Sequence, residues 1–448
     1  MRKSSGHEPL NLLGRLIEVT TPIQSCPLKR GSAKAVVEFL GVSKTSNVQS
    51  VEGESRNEYN AFRWVVLGLA LASFVATFLS RFTWPPLIPV IAPVLGLSMS
   101  QAGGYMSAFY IGYVLTQIPG GILTDRFGVR GSLSVSLVIV GVTTWGMADI
   151  RSYEAGFWLR LATGIGSGSV YGACTRAVVD WFPPKERGTA FGIIMAAPSS
   201  GLVLANGIVP VLNRSIGWQG TFRAVGVGCA TIGLLLALLL RRPKRPARAS
   251  QSILDGFKII ASSRDLILTA VAAFCILWVQ VGTATWTNAY VKHLGFSLTD
   301  AGNVMVAYGI GGILAPIVSG WISDRIGNRK ALLIACYVLV VPATLIFGWQ
   351  TTTAALSALG FVCGFIAYST NPHFPALVSN YAGQQWAATA NGACNFACQL
   401  APIAGSFLIG HALDVTGSFT TVFAIMAAGP LVGIGVLFMI RPPRAALA

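Results

Sequence analysis

Twelve apolar blocks, each long enough to cross a bilayer, constrain this chain more than any other feature it has. A helix needs roughly 20 mostly apolar residues to traverse the ~30 Å hydrocarbon layer. Such blocks fall near residues 64–92, 100–124, 132–149, 155–178, 188–212, 219–240, 266–290, 299–322, 331–349, 353–380, 386–411 and 418–440. Charge is scarce to match: 11% of the 448 residues are charged and 53% apolar, against about 25% charged in soluble domains. Lipid offers backbone N–H and C=O groups no partner, whereas a helix satisfies its own. The expected fold class is therefore an all-α membrane protein of twelve transmembrane helices.

The net charge of +16 reports topology. Of 32 Lys and Arg, nine lie before residue 64 and seven between Arg241 and Arg264. Connections on the other side carry only Arg151, Arg214 and Lys292. Lys and Arg favour cytoplasmic loops, so both termini and the central loop are expected in the cytoplasm, and no nucleic-acid partner is expected. Residues 1–61 are polar, lack a cleavable signal pattern and read as a disordered cytoplasmic tail. The eight cysteines form no paired framework. Cys394 and Cys398 share a helix face without a companion His or Asp, so neither a metal nor a cofactor is expected.

The chain repeats itself. Gly121-Ile-Leu-Thr-Asp125-Arg126-Phe-Gly128-Val-Arg130 follows the second block, and Gly320-Trp-Ile-Ser-Asp324-Arg325-Ile-Gly327-Asn-Arg329 follows the eighth, 199 residues later. Small Gly121 and Gly320 let helices approach, Asp125 and Asp324 suit a helix start or an Arg partner, and Gly128 and Gly327 permit a tight turn. The expected organisation is a six-helix half over 62–240, a cytoplasmic linker over 241–265, a second half over 266–440 and a tail over 441–448.

These loops resemble the signature between helices two and three of the major facilitator superfamily, repeated between helices eight and nine. Val129 stands where the family often has a basic residue. A second family motif, in helix four, matches Arg160, Gly164 and Gly166. The resemblance implies two six-helix bundles, related by pseudo-symmetry, that rock about a central site near the bilayer midplane and act as a monomer.

Ionisable residues deep in a membrane are costly and therefore informative. Arg81 in the first block and Arg160 in the fourth are deep; Arg176 and Arg223 lie within about a turn of block ends. Every acid falls in the tail, in a connection or near a block end. Each deep Arg costs about 2.5–3.5 kcal/mol on insertion scales, and no carboxylate at its depth compensates it. The planar, permanently charged fork binds carboxylate at two points, so a substrate anion can supply the missing charge. Alternatively, Arg160 bonds backbone carbonyls, or Arg81 snorkels to an interface.

Leu79 to Pro86, Tyr113 to Gly121, Arg160 to Gly168, Asp180 to Gly188, Asn395 to Gln399 and Asp414 to Ser418 together resemble the anion:cation symporter family, which moves organic anions. The resemblance implies substrate contacts at Arg81, Arg160, Tyr113 and either Asn395 or Gln399. Many proton-coupled bacterial members carry an acid just before the helix-one Arg and a Glu seven residues after the helix-four Arg. Here these are Ser80 and Ser167. A coupling proton, a cation or an exchanged anion all stay open. His373, in Asn371-Pro-His373-Phe-Pro375, is the candidate proton site, since imidazole titrates near neutral pH. Tyr110, Gln280, Asn288, Tyr308 and Asn391 are further polar groups at depth, and Trp278 and Trp286 are candidates for the cavity wall.

The reading is thus a secondary transporter of a small organic carboxylate in a bacterial inner membrane. The rival readings are an exporter of drugs or metabolites and a transporter-like sensor. An enzyme is not expected, because the blocks hold no clustered nucleophile and base and no nucleotide-binding loop.

Overall fold

The computed structural model describes residues 45–183, 185–240, 253–383 and 386–441. Among these no strand occurs, and nine helical stretches are long and apolar enough to cross a membrane. Two of the nine are pairs. Met99–Asp149 turns back at Gly128 (φ 74°) and Arg187–Leu239 at Gly217 (φ 70°), left-handed positions that a side chain would strain. Tyr153–Ser167 and Val170–Trp181 form a further span broken at Gly168, which brings the total to twelve.

The helices run α1 (Thr45–Phe82), α2 (Trp84–Leu95), α3 (Met99–Gly146), α4 (Tyr153–Ser167), α5 (Val170–Trp181), α6 (Arg187–Met195) and α7 (Ala197–Leu239). The second half continues with α8 (Ile253–Ser262), α9 (Arg264–His293), α10 (Leu298–Ile326), α11 (Arg329–Phe347), α12 (Thr353–Tyr368), α13 (His373–Ala382), α14 (Ala387–Cys398), α15 (Leu400–Thr416) and α16 (Phe419–Met439). Of the expected tail and linker, 1–44, 241–252 and 442–448 lie outside the described residues. The described part of the linker is not a plain loop. It forms α8, because Phe257 and Ile260 share a face that buries, Phe257 packing edge-on against Phe396 at 5.1 Å.

Packing inside each half depends on glycine, and the two halves repeat it. A Cβ on Gly112 would fall 2.1 Å from the carbonyl oxygen of Leu161, and one on Gly164 would fall 2.0 Å from that of Phe109. In the second half, Gly311 would meet Phe361 O at 2.3 Å and Gly364 would meet Tyr308 O at 2.0 Å. Spans 2 and 4, and likewise 8 and 10, therefore touch backbone to backbone, the approach small residues allow where lipid supplies no hydrophobic drive. Gly166 of the helix-four motif serves span 3 instead: a Cβ there would fall 2.8 Å from the Ile139 side chain. Gly164→Val is expected to destabilise the protein by about 2–3 kcal/mol through overpacking, read as a lower melting temperature in detergent. Gly121→Ala is the matched control, since nothing lies within 4 Å of its Cβ.

That control also carries a correction. Gly121 and Gly320 face open space in this state and make no close helix approach. The signature loops are held otherwise. Asp125 pairs with Arg176 at 2.8 Å, and Arg176 reaches Asp180 at 2.8 Å as well. Arg126 lies near the Phe127 ring, and Arg325 stacks on Trp321 at 3.7 Å. Gly327 turns at φ 67° into α11, which begins at Arg329. Arg130 donates to the carbonyl of Ala237 near the end of span 6, and Lys330 to that of Ile440 after span 12. A cation at a helix C-terminus is favourably placed.

The halves meet at the end opposite the signature loops. Gly103 lies against the Ser406 carbonyl, Gly410 against that of Met99, and Gly302 against that of Asn206. Asn288 donates to Asn206 at 2.9 Å, and Ser107 to the Ile403 carbonyl at 2.6 Å. The Asp414 carboxylate accepts from the amides of Met99 and Ser100, both at 2.7 Å. An acid from one half thus caps the helix N-terminus of the other, where the helix dipole favours it. Asp414→Ala is expected to weaken this closed end by about 1–2 kcal/mol. Spin labels at Gln219 and Thr351 should then show a longer distance in roughly ten times as many molecules.

Candidate functional site

Between the halves lies a cavity of about 270 Å³. It runs from Arg81 and Gln280 toward the signature end, past Tyr171, Met195, Ala273 and Asn391. Four of the spans around it are interrupted. Span 1 breaks at Thr83, span 4 at Gly168, span 10 over 369–372 and span 11 at Gln399. Irregular backbone at membrane depth is tolerated where it is buried in protein or lines a cavity.

The break in span 1 explains Arg160. Pro85 and Pro86 have no N–H, so the carbonyls of Arg81 and Phe82, four residues earlier, lose their helical donors. Arg160 is 1% exposed and supplies a substitute. Its Nη2 donates to Arg81 O at 3.0 Å and its Nη1 to Ser80 O at 3.4 Å. Nη2 also lies 3.3 Å from the sulfur of Met106, and the Phe109 ring sits 5.2 Å from the guanidinium. Arg160 does not line the cavity. It braces the backbone of Arg81 from behind, which matches the carbonyl-bonding alternative for this residue.

Arg81 does line the cavity. It is 3% exposed, and its Nε and Nη2 have no hydrogen-bond partner. The guanidinium is ringed by Phe78 (4.3 Å), Phe109 (4.6 Å), Tyr113 (4.9 Å) and Tyr110 (5.0 Å). Aromatic faces stabilise a cation by a kcal/mol or two (~1–2), which holds the fork without neutralising it. No ion pair among the described residues involves Arg81 or Arg160, whereas Arg63, Arg176, Arg223 and Lys258 all find carboxylates. Arg81 has not snorkelled to an interface.

Across the cavity the second half contributes amides. Gln280, Asn371, Asn391, Asn395 and Gln399 all line it. Gln280 Nε2 donates to Ala367 O at 2.9 Å and Asn371 Oδ1 at 3.1 Å, closing the break in span 10. Asn391 ties α14 to α13 through Ser379 and Pro375, and the Gln399 Oε1 is unpartnered. The structure thus brings Arg81, Tyr113, Asn395 and Gln399 together around one space and leaves Arg160 outside it. Gln280 lies 199 residues after Arg81, so the repeat offset alone identifies it as the counterpart of Arg81, a signal not exploited above.

His373 is placed elsewhere. It opens α13, is 2% exposed with an unpartnered Nε2, and lies in reach of Asp324 and Arg329 rather than in the cavity lining. Trp278 and Trp286 do not line the cavity either. Trp278 donates to Ile425 O at 3.0 Å, and Trp286 is buried against Gly103 and Gly410. No carboxylate lines the cavity among the described residues.

The Major Facilitator Superfamily model matches residues 69–406, three quarters of the chain. The chain belongs to that superfamily. Among curated members it is 26% identical to the hexuronate transporter of Bacillus subtilis (strain 168), over 84% of this chain and 94% of that one. It is 28% identical to the probable sulfoacetate transporter of Cupriavidus necator (84% and 92% covered) and 23% identical to the probable galactarate/D-glucarate transporter of Bacillus subtilis (83% and 90% covered). These superfamily members are organic-anion transporters. A bacterial homologue of the lysosomal transporter Spinster, inward-facing and occupied, shares the fold at a TM-score of 0.72 and 15% identity, covering 85% of this chain and 97% of that one.

Proposed function

We propose that the protein is a secondary active transporter that carries a small organic carboxylate across a bacterial inner membrane by alternating access between two rigid halves, 62–240 and 266–440. The observation that carries this reading is Arg81, a buried guanidinium in the cavity wall with its Nε and Nη2 unpaired and no protein carboxylate in an ion pair with it. A carboxylate meets both needs at once, charge and a two-point hydrogen-bond acceptor. The facing amides suit hydroxyl or further carboxyl oxygens of a polar solute, since each offers a donor and an acceptor. A space of about 270 Å³ lies just below the roughly 300–1,000 Å³ of pockets that hold drug-sized ligands, and so suits a small acid. The anionic cargoes named for the relatives agree.

With the basic loops cytoplasmic, the observed state is open to the cytoplasm and closed at the far end. Tyr113, Asn395 and Gln399 complete the site, and Arg160 supports it. Export of a cationic drug is disfavoured, because no carboxylate lines the cavity among the described residues. The test is uptake of a panel of labelled hexuronates, aldarates and sulfoacetate, with neutral sugars and cationic dyes as controls, into liposomes holding the purified protein. Uptake confined to the anions supports the reading; transport of the neutral or cationic compounds instead refutes it.

A further inference from the structure

We infer that the protein is an obligate anion exchanger: its two halves change over readily with an anion bound and scarcely at all when empty. This rests on the reading of Arg81 as the anion-binding group and adds what drives the cycle.

Arg81 and Arg160 are both buried and flank one ring, Phe109, at 4.6 and 5.2 Å. Neither has a carboxylate partner among the described residues. The titratable groups lining the cavity are Arg81, the tyrosines at 110, 113, 171 and 368, and Cys394 and Cys398. None of these besides Arg81 carries charge at neutral pH. Two serines neighbour these arginines along the chain, Ser80 directly before Arg81 and Ser167 seven residues after Arg160. Ser80 is fully buried and bonds Thr144 at 2.6 Å, and Ser167 is fully buried and donates to Thr163 O at 2.8 Å. Their hydroxyls are engaged and stay neutral over the physiological pH range.

Other titratable groups are committed away from the guanidinium. Asp125 and Asp180 are held by Arg176, Asp149 by Arg223, Glu186 by Arg63, and Asp414 by the amides at the start of α3. His373 lies outside the cavity lining, and the charges acting on it are those of Arg329 and Asp324.

Arg81 is already 3% exposed in this state, and passing from one open state to the other requires closing the cavity at both ends, which removes the remaining cavity water beside its guanidinium. With an anion on the fork, the occluded pair is neutral and Nε and Nη2 are satisfied. With none, a bare cation is sealed in a low-dielectric space. Desolvating an unpaired cation costs several kcal/mol, so the empty carrier is expected to return at least on the order of a hundredfold more slowly than the loaded one. A proton cannot relieve this, because protonation adds positive charge and no group in the lining loses charge by taking one up. The cycle completes only when a second anion occupies the site for the return.

The test uses the full-length protein in liposomes with radiolabelled D-glucuronate, and in parallel sulfoacetate, as probes. Vesicles preloaded with the same unlabelled anion are expected to take up label on the order of a hundredfold faster than empty vesicles, and an acid-outside gradient should not raise uptake into the empty ones. Accumulation in empty vesicles under that gradient at the preloaded rate overturns the inference. Binding of a probe without exchange also overturns it while leaving the anion reading intact. Absence of both binding and exchange for every anion of the panel overturns the anion reading and this inference together. Ser80→Asp, with Ser167→Glu as a second variant if the first misfolds, places a carboxylate near Arg81 or Arg160 along the chain. The expected result is measurable, pH-dependent uptake into empty vesicles. A folded variant with an unchanged requirement for internal anion overturns the assignment of the missing charge as the cause.

Discussion

Arg81→Gln abolishes uptake of every anion the protein carries, by at least about a hundredfold, and leaves the purified protein as thermostable as before or more so. The two halves of this expectation have one cause. The Arg81 fork has unpaired Nε and Nη2 atoms and no protein counter-ion, so the fold bears its insertion cost of about 2.5–3.5 kcal/mol for the sake of the ligand. A neutral amide removes that cost together with the anion's partner. Arg81→Lys keeps the charge and loses the planar two-point geometry, so it should retain transport with affinity about tenfold or more weaker. Uptake kinetics paired with thermal unfolding in detergent read both quantities. A purely structural Arg81 would instead lose stability and transport together.

Arg160→Met gives the opposite pattern, a lower melting temperature and a smaller folded fraction. Its guanidinium stands in for the N–H that Pro85 lacks, bonding Arg81 O and Ser80 O. A thioether of similar length leaves the Arg81 carbonyl, which Pro85 cannot serve, buried and unpaired at about 1–3 kcal/mol. Loss of the buried charge offsets part of this, and the carbonyls, the Met106 sulfur and the Phe109 ring already solvate that charge. The net expectation is a destabilisation of about 2 kcal/mol. Transport falls as well, because the backbone that aims Arg81 is no longer braced, and saturating anion does not restore the maximal rate. Stability equal to the parent with only a weakened affinity would place Arg160 in the binding site instead.

Span number and the repeat were legible in the sequence because hydropathy integrates over about 20 residues and the signature loops recur at a fixed offset. Two spans hidden within continuous helix, at Gly128 and Gly217, separate in the sequence for the same reason: polar residues interrupt the apolar run. The breaks in spans 4 and 11 were not legible, because Gly168 and Gln399 keep right-handed helical dihedrals and leave the hydropathy of the run unchanged. Arg81 stood out because a lone cation in an apolar block has few explanations. Arg160 did not resolve between ligand contact and backbone support, since the choice depends on which helix faces it. The Pro85-Pro86 pair names two carbonyls in need of a donor, but only the packing of span 4 on span 1 shows what fills the need. His373 misled for a related reason: a His between prolines marks a broken helix, and breaking a helix does not decide which side of it meets the cavity.

The most direct measurement is a structure of the protein bound to the tightest anion of the uptake panel. The account predicts a carboxylate oxygen pair about 2.7–2.9 Å from the Arg81 guanidinium, with Gln280 or Gln399 on the distal polar groups of the solute. An anion seated elsewhere, with Nε and Nη2 of Arg81 still unpaired, would contradict it.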